Sequence, residues 1–503
     1  MDKPLESAKT LYDRLEQSRQ PYVTRAEENA KYTIPSIFPK AGDNNSTSYL
    51  TPYQSVGSRG VNNLASKLML ALLPPNAPFF RLTAVDEAKQ GLNDDISAKT
   101  EEALGKIERK VMRYIETNQI RVTVSEAIKS LIITGNALLY LPPQEGGVKC
   151  YKLNSYVIQR DALGNIINII TLDKIAYAAL PLEVKSIVAD GQEIKPDKEF
   201  EVFTHAYLED DVFYSYQEVN KTVIQGTEQM FPRNKIPWIP IRMVKIDGEN
   251  YGRSFVEEYI GDLRSLEVLS KAIVEAAAIA ANVIYLVNPN GITQVRKIAN
   301  ASTGEFVPGR KDDIQALTLD KYADLQVAKA TADGIESRLS YAFLLNSAVQ
   351  RNGERVTAEE IRYVAGELED TLGGIYSILS QEFQLPLVRR LLIQLQKTGE
   401  LPALPEGLVE PAITTGLEAL GRGHDLNKLR VLMEYIAQIP DATSRINMDN
   451  LLTRIATALS IDTAGLVKTD QELQEEMQMQ QQMALMQQAV PHVAKGVMEQ
   501  QQQ

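Results

Sequence analysis

The sequence predicts an α+β, mainly α protein, and three observations carry that prediction. Apolar residues recur at helical spacing over long segments before residue 140 and again after residue 250. Between them lies a stretch, residues 145–245, rich in Tyr, Val and Ile and punctuated by turn residues. After it, a long striped helix, a turn-rich insert and a second helix follow in order. Strands gathered between helical blocks are the pattern of an α+β chain, and 503 residues are enough for more than one domain.

The first helix is expected from Ser7 to Tyr32, where Leu11, Leu15, Tyr22, Ala26 and Ala30 share a face, with a stop at Ile34-Pro35. After a polar loop over residues 40–48, the run GSRGVNNLASKLMLALLPP sets Val61, Leu64, Ala65, Leu68 and Leu72 on one stripe and is ended by Pro74-Pro75. Two further helices are expected, Ile96 to Asn118 and Val124 to Thr134, the second closing at Gly135. Strands follow over Tyr151–Arg160 and Ile166–Thr171, joined like a hairpin by Asp161 to Asn165, and then over Glu201–Leu208, Val212–Glu218, Thr222–Ile224 and Ile239–Val244.

A long helix is expected from Ser254 to Leu286, with the stripe Phe255, Tyr259, Leu263, Leu266, Leu269, Ile273, Ala276, Ala280 and Val283. At 1.5 Å per residue it spans ~50 Å. Glu267 and Lys271 stand at i,i+4 pairing distance, and the second half is crowded with alanine, which lets neighbouring helices approach closely. Asn288-Pro-Asn-Gly291 breaks it, turns and short strands such as Ile314–Leu319 follow, and a second helix runs from Gln326 to Leu345. A polar loop, residues 346–356, leads to Thr357 and Glu360 at capping-box spacing and to a helix reaching Lys397, weakened at Gly373-Gly374 and kinked by Pro386. Shorter helices broken by Pro405, Pro411 and Pro440 come next, and residues 471–503 form a Gln/Met-rich tail, partly disordered.

Composition excludes several classes. The single cysteine, Cys150, rules out an intrachain disulfide framework and multi-cysteine metal sites, and reads as an inert buried thiol. The first residues lack the apolar core of a secretory signal, and the best membrane candidate, Ala272 to Val287, is too short and is interrupted by Glu275. With 53 Lys and Arg against 65 Asp and Glu the net charge is −12, which does not suit a chain that grips nucleic acid over its whole surface. No phosphate-binding loop, H-E-x-x-H or G-x-S-x-G is present, and the three histidines, His205, His424 and His492, are far apart. The carboxylates Glu359, Glu360, Glu367, Glu369 and Asp370 could serve a two-metal nuclease, but a solvated or ion-paired helix face is the simpler reading. No cofactor is expected.

Three strings carry a resemblance: GSRGVNNLASKLMLALLPP, IPWIPIRMVKIDGENYGRSFVEEYIGDLRSLE, and SYAFLLNSAVQRNGERVTAEEIRYVAGELEDTLGGIYSILSQEFQLPLVRRLL. They closely resemble the head–tail connector (portal) family of short-tailed phages, and the similarity extends from the first helix to about Thr463. The resemblance implies a ring of identical subunits, usually twelve, at one capsid vertex, each with a wing, stem, clip and crown. Placed on this chain, the wing would be residues 1–253 plus the kinked helix 358–397. The stem helices would be 254–286 and 326–345, the clip 287–325, a channel loop 346–357, and the crown 398–470.

The implied partners are other copies of the chain, double-stranded DNA passing through the channel, the terminase large subunit transiently, the tail adaptor, the scaffolding and major capsid proteins, and internal core proteins, with no membrane. The implied location is the virion, after assembly in the host cytoplasm. The loop would bring Gln350, Arg351 and Arg355 to DNA, and Arg296, Lys297, Arg310 and Lys311 would be docking candidates on the clip. Another virion structural protein, a tail adaptor or internal core protein, is the alternative, and a metal-dependent nuclease the remote one.

Overall fold

The computed structural model describes residues 6–40, 42–43, 46–75, 78–84, 94–143, 147–189, 194–281, 284–317, 322–345, 364, 366–368, 371–402, 409–413, 433–434 and 451. Helix α1 (Ala8–Lys31) starts where Ser7 accepts the Thr10 N–H, one of the donors a helix leaves unpaired at its N-terminus. A second anchor comes from far along the chain. The buried Glu218 carboxylate accepts the N–H groups of Ala8 and Lys9 at 2.9 and 3.0 Å, where the helix dipole favours negative charge.

Helices α2 (Val56–Leu72), α3 (Asp94–Thr117) and α4 (Ile120–Thr134) supply much of the principal core through residues such as Leu64, Leu68, Val111 and Ile132. α4 begins four residues before the expected Val124, after Gln119 in a left-handed conformation. It ends at Gly135 as expected, and two constraints demand glycine there. Its φ is +79°, and a Cβ would meet the backbone of Arg253 and Ser254 at 2.5 and 2.6 Å.

The strands form separate sheets. A two-stranded pair joins β1 (Phe80–Ala84) to β13 (Val409–Ile413), and β2 (Asn136–Tyr140) lies between β3 (Lys149–Tyr151) and β10 (Trp238–Arg242). The larger sheet is antiparallel in the order β4 (Tyr156–Arg160), β5 (Ile166–Ala176), β6 (Glu199–Glu209), β7 (Val212–Val219), and β8 (Thr222–Val223) and β9 (Gln229–Pro232) both pair with β7. The β4–β5 turn is the expected Asp161–Asn165 hairpin. The β6–β7 turn puts Asp210 and Asp211 at φ +46° and +65°, the mirror-image turn that matches strand twist. α1 lies on this sheet, closing a second core of Leu11 and Tyr12 against Val157, Ile170 and Phe203, and α5 (Leu182–Ala189) covers a third.

The arm follows: α6 (Phe255–Ala281), β11 (Ile284–Val287), the short α7 (Val295–Ala299), β12 (Ile314–Leu317) and α8 (Tyr322–Ala342). The first arm helix therefore stops at Ala281, not Leu286. The next run, Ile284-Tyr-Leu-Val287, is β-branched and aromatic, and it pairs with β12 in the register Ile284↔Leu317 to Val287↔Ile314. The second helix starts and ends earlier than expected, with Leu344 at φ +56° closing it.

The expected single kinked helix to Lys397 is broken by Gly373 at φ +47°, then continues as α9 (Gly374–Leu379), a π turn over Ser380–Gln384 and α10 (Leu385–Lys397). Pro386 has no N–H to give the carbonyl of Glu382, and the wider π turn relieves that conflict. Where helices broken by prolines are expected beyond Pro402, the described Val409–Ile413 is a strand on β1. Thr357, Glu360 and the Gln/Met-rich tail lie outside the described residues. No described helix is long and apolar enough to cross a membrane.

His205 is a buried core residue of β6, with Nδ1 3.1 Å from Tyr216 Oη and Nε2 3.0 Å from Asn168 Oδ1. Burial pushes its pKa down from 6.5 to about 4. The unfolded chain thus takes up a proton near pH 6.5 that the folded chain refuses until about pH 4. Stability contributed by keeping this ring neutral is complete above that window and falls as pH drops through it. Unfolding titrations should show this loss in the wild type and a flatter profile in His205→Gln; identical profiles count against the assignment.

Candidate assembly arm and loop junction

Among the described residues the arm is fully buried only toward its base. Phe255 meets Phe343 at 5.6 Å between ring centroids, and Asp262 Oδ1 accepts Arg338 Nη2 at 2.9 Å, so α6 and α8 run antiparallel. Phe255, Leu263 and Leu266 are buried against Ile335, Leu339 and Phe343. Farther out the predicted stripe is only half-covered: Leu269, Ile273 and Ala276 are partly exposed and Ala280 is exposed. The expected Glu267–Lys271 pair does not form. Glu267 instead accepts the backbone N–H groups of Tyr53 and Gln54 at 3.0 and 3.1 Å, fastening the arm to the segment before α2.

Most of the large hydrophobic side chains left exposed among the described residues lie between Val268 and Tyr341, on the arm. Val274 is 53% exposed, Ile279 57%, Val327 68% and Phe306 100%. Exposed apolar side chains gathered on one arm mark it as an interaction surface.

The insert at the arm's end has its own polar centre. The buried Asp313 carboxylate accepts the Thr293 N–H at 3.1 Å and the Thr293 hydroxyl at 2.6 Å, and Thr293 Oγ1 accepts the Arg310 N–H at 2.9 Å. The Thr293 hydrogen bonds hold the Asp313 carboxyl below its ordinary value. Gly291 must be glycine, because a Cβ would lie 2.6 Å from the Asp313 carboxylate. Arg296 and Lys297 sit in the last turn of α7, and Arg310 and Lys311 on the approach to β12. All four are exposed, and none is within ion-pair distance of a carboxylate among the described residues.

Gln350, Arg351 and Arg355 lie outside the described residues, but the junction from which their segment departs does not. Asn63 Nδ2 on α2 donates to the carbonyls of Phe343 and Leu344 at 2.9 and 2.8 Å. Lys67, one turn on and buried, donates to Leu344 O at 3.1 Å and to Glu367 Oε2 at 2.7 Å. One ammonium therefore ties the residue before the segment to a carboxylate after it. Gly60 completes the seat, since a Cβ there would meet the Phe343 ring at 2.5 Å.

Asn63 and Lys67 were not legible as functional residues, although their i,i+4 spacing beside an apolar stripe was a signal. Glu367 is thereby taken out of the acidic cluster, as an ion-pair member of a helix face. Glu359, Glu360, Glu369 and Asp370 lie outside the described residues, among which no metal-binding group of His, Cys, Asp or Glu occurs. Cys150 is half-buried rather than fully buried, and burial pushes its thiol up to about 12, which leaves it unreactive.

Residues 5–467 match the family described as bacteriophage head to tail connecting protein. The chain is 56% identical to the portal protein of Enterobacteria phage T3, covering 94% of this chain and 90% of that one. It is 53% identical to the portal protein of Escherichia phage T7, covering 98% and 94%, and 31% identical to that of Enterobacteria phage SP6, covering 98% and 96%. A solved structure of the neck of an empty gene transfer agent particle aligns with 78% of this chain and 88% of its own at 10% identity and a TM-score of 0.35.

Replacing Lys67 by Met leaves the Leu344 carbonyl and the Glu367 carboxylate without this partner, and should cost about 2–4 kcal/mol in denaturant unfolding. Lys67→Arg should recover much of that loss. Wild-type stability in Lys67→Met would show that the junction is not held by this residue.

Proposed function

Because the chain belongs to the bacteriophage head to tail connecting protein family, we propose that it is the portal subunit of a short-tailed phage, forming the ring at the unique capsid vertex through which double-stranded DNA is packaged and ejected. The observation that carries this reading beyond family membership is the arm: two helices that bury each other only at their base and carry uncovered apolar side chains along their length. Identical neighbours around a ring would cover those faces, and the alanines of α6 would let the helices come close. The protein has a structural role in the virion, with self-association, tail and capsid contacts. We assign it no catalytic step.

In the finer reading the ring is a dodecamer assembled in the host cytoplasm. Residues 1–253 with the helix to Lys397 form the wing, α6 and α8 the stem, and residues 398–470 the crown, although the β1–β13 pair ties part of that last segment back to the wing. The clip then begins at β11, since the first stem helix ends at Ala281. Its exposed Arg296, Lys297, Arg310 and Lys311 suit docking of the terminase large subunit during filling and of the tail adaptor afterwards. Scaffolding, major capsid and internal core proteins are the remaining partners.

Gln350, Arg351 and Arg355 would contact the DNA backbone, which carries no sequence information and so suits passage of a whole genome. The net charge of −12 keeps the rest of the wall from holding DNA tightly. The alternative of a tail adaptor or core protein has no observation in its favour, and the nuclease reading has lost Glu367 to Lys67.

Heads assembled in the absence of the protein should remain empty of DNA, and full heads without it would refute the proposed role. In the double variant Arg351→Ala with Arg355→Ala, rings should form normally while packaging or retention of DNA fails. Normal filling and retention in that variant would remove the DNA-contact assignment and leave the ring intact.

A further inference from the structure

A cleft away from the arm carries a charge imbalance that the assembly reading does not use. Its volume is about 200 Å³, and it opens between the start of β5, the β9–β10 turn, β10 itself and the first turns of α10. Four arginines line it, Arg160, Arg233, Arg389 and Arg390, together with Lys235, which has a partner of its own. Among the described residues the lining has one carboxylate, Glu382, and that group is committed to Arg242, whose Nε lies 3.1 and 3.2 Å from its two oxygens and whose backbone N–H donates at 3.2 Å.

Buried Arg390 and half-buried Arg160 donate to neutral carbonyls. Arg160 donates to the carbonyls of Asn250 and Gly164 at 3.1 and 2.9 Å. Arg390, 2% exposed, donates to the carbonyls of Leu141 and Lys235 at 3.3 Å each, and its buried Nη2 has no hydrogen-bond partner among the described residues. Half-buried Arg389 stands beside it with no ion pair among the described residues, where exposed Arg233 pairs with the exposed Asp211 at 3.2 Å.

A buried guanidinium is costly unless an anion neutralises it. Burial accordingly pulls the Arg160 guanidinium down to about 10, with Arg242 adding like-charge repulsion, and lowers that of Arg390 as well. Glu382 offsets this only in part for Arg160, and among the described residues no carboxylate pairs with Arg389 or Arg390. The cleft is smaller than the roughly 300–1,000 Å³ of sites for drug-sized ligands, which limits the occupant to a small group. Planar guanidinium forks facing one space fit the oxygens of a phosphate or a carboxylate.

We propose that this cleft is an oxyanion site, with Arg389 and Arg390 as its principal ligands, taking either inorganic phosphate or the carboxylate side chain of a second copy of the chain. The site stands apart from the portal reading, since its binding is measured on the protein alone.

The experiment is calorimetric titration of inorganic phosphate, at constant ionic strength set with chloride, into the unassembled subunit and into the assembled ring. Saturable binding to the subunit is expected, weakened about tenfold or more in Arg389→Ala and less in Arg389→Lys, which keeps charge but not the fork. Arg389→Lys also controls for folding, and thermal unfolding without phosphate should be similar for all three proteins. Binding retained in the ring identifies a free anion as occupant; binding lost on ring formation identifies a neighbour's carboxylate already in place. No binding to the unassembled subunit, or binding that Arg389→Ala leaves unchanged, overturns the proposal.

Discussion

The constraint on which the rest depends is that the described residues leave the arm's apolar stripe partly uncovered. A helix of 27 residues and one of 21 meet over buried contacts at one end only, and beyond Leu266 the α6 stripe turns half-exposed and then exposed. Fully burying a Val or Ile side chain contributes about 1.5–3 kcal/mol, so leaving several uncovered is a standing drive toward association. Contacts at its base hold that arm in one orientation. Glu267 fastens it to the backbone before α2, the Phe255–Phe343 contact locks its base, and Gly135 brings the end of α4 against the segment from which α6 starts.

Buried charge is the second organising theme. Glu218 caps α1 from across the sheet, and Arg19, 2% exposed, donates from α1 to the Tyr156 carbonyl at 2.6 Å. Arg242 links β10 to the π turn through Glu382, and Lys67 links α2 to both sides of the segment carrying Arg351 and Arg355. Such pairs add little net stability over apolar packing, but breaking one strands its partner, so they penalise every arrangement except one. A ring that must present the same surface from each subunit gains from that selectivity.

How much of this was legible in the sequence follows from the range of each interaction. α1, α2, the end of α4 at Gly135 and the Asp161–Asn165 hairpin depend on caps, periodicity and turn residues close in the chain, and they were readable. The strand Phe80–Ala84 was not, because its partner is Val409–Ile413 and no local pattern announces a pairing over that distance. The end of α6 was misread because Ile284–Val287 continues the apolar run of the helix, and a short apolar run fits either period. At the site, Arg351 and Arg355 came from resemblance alone. Asn63 and Lys67 came only from the structure, since their role is set by the carbonyls of Phe343 and Leu344, just past α8 and far along the chain.

The central claim is that neighbouring copies cover the arm. Electron microscopy of the purified full-length protein, beside a Val274→Glu, Ile279→Glu variant, tests it most directly, because both positions are exposed and support no contact within the subunit's core. The account predicts rings with an axial hole of duplex width for the wild type, and folded, dispersed subunits for the variant. A wild-type protein that stays monomeric, or a variant that assembles as well as the wild type, would contradict it.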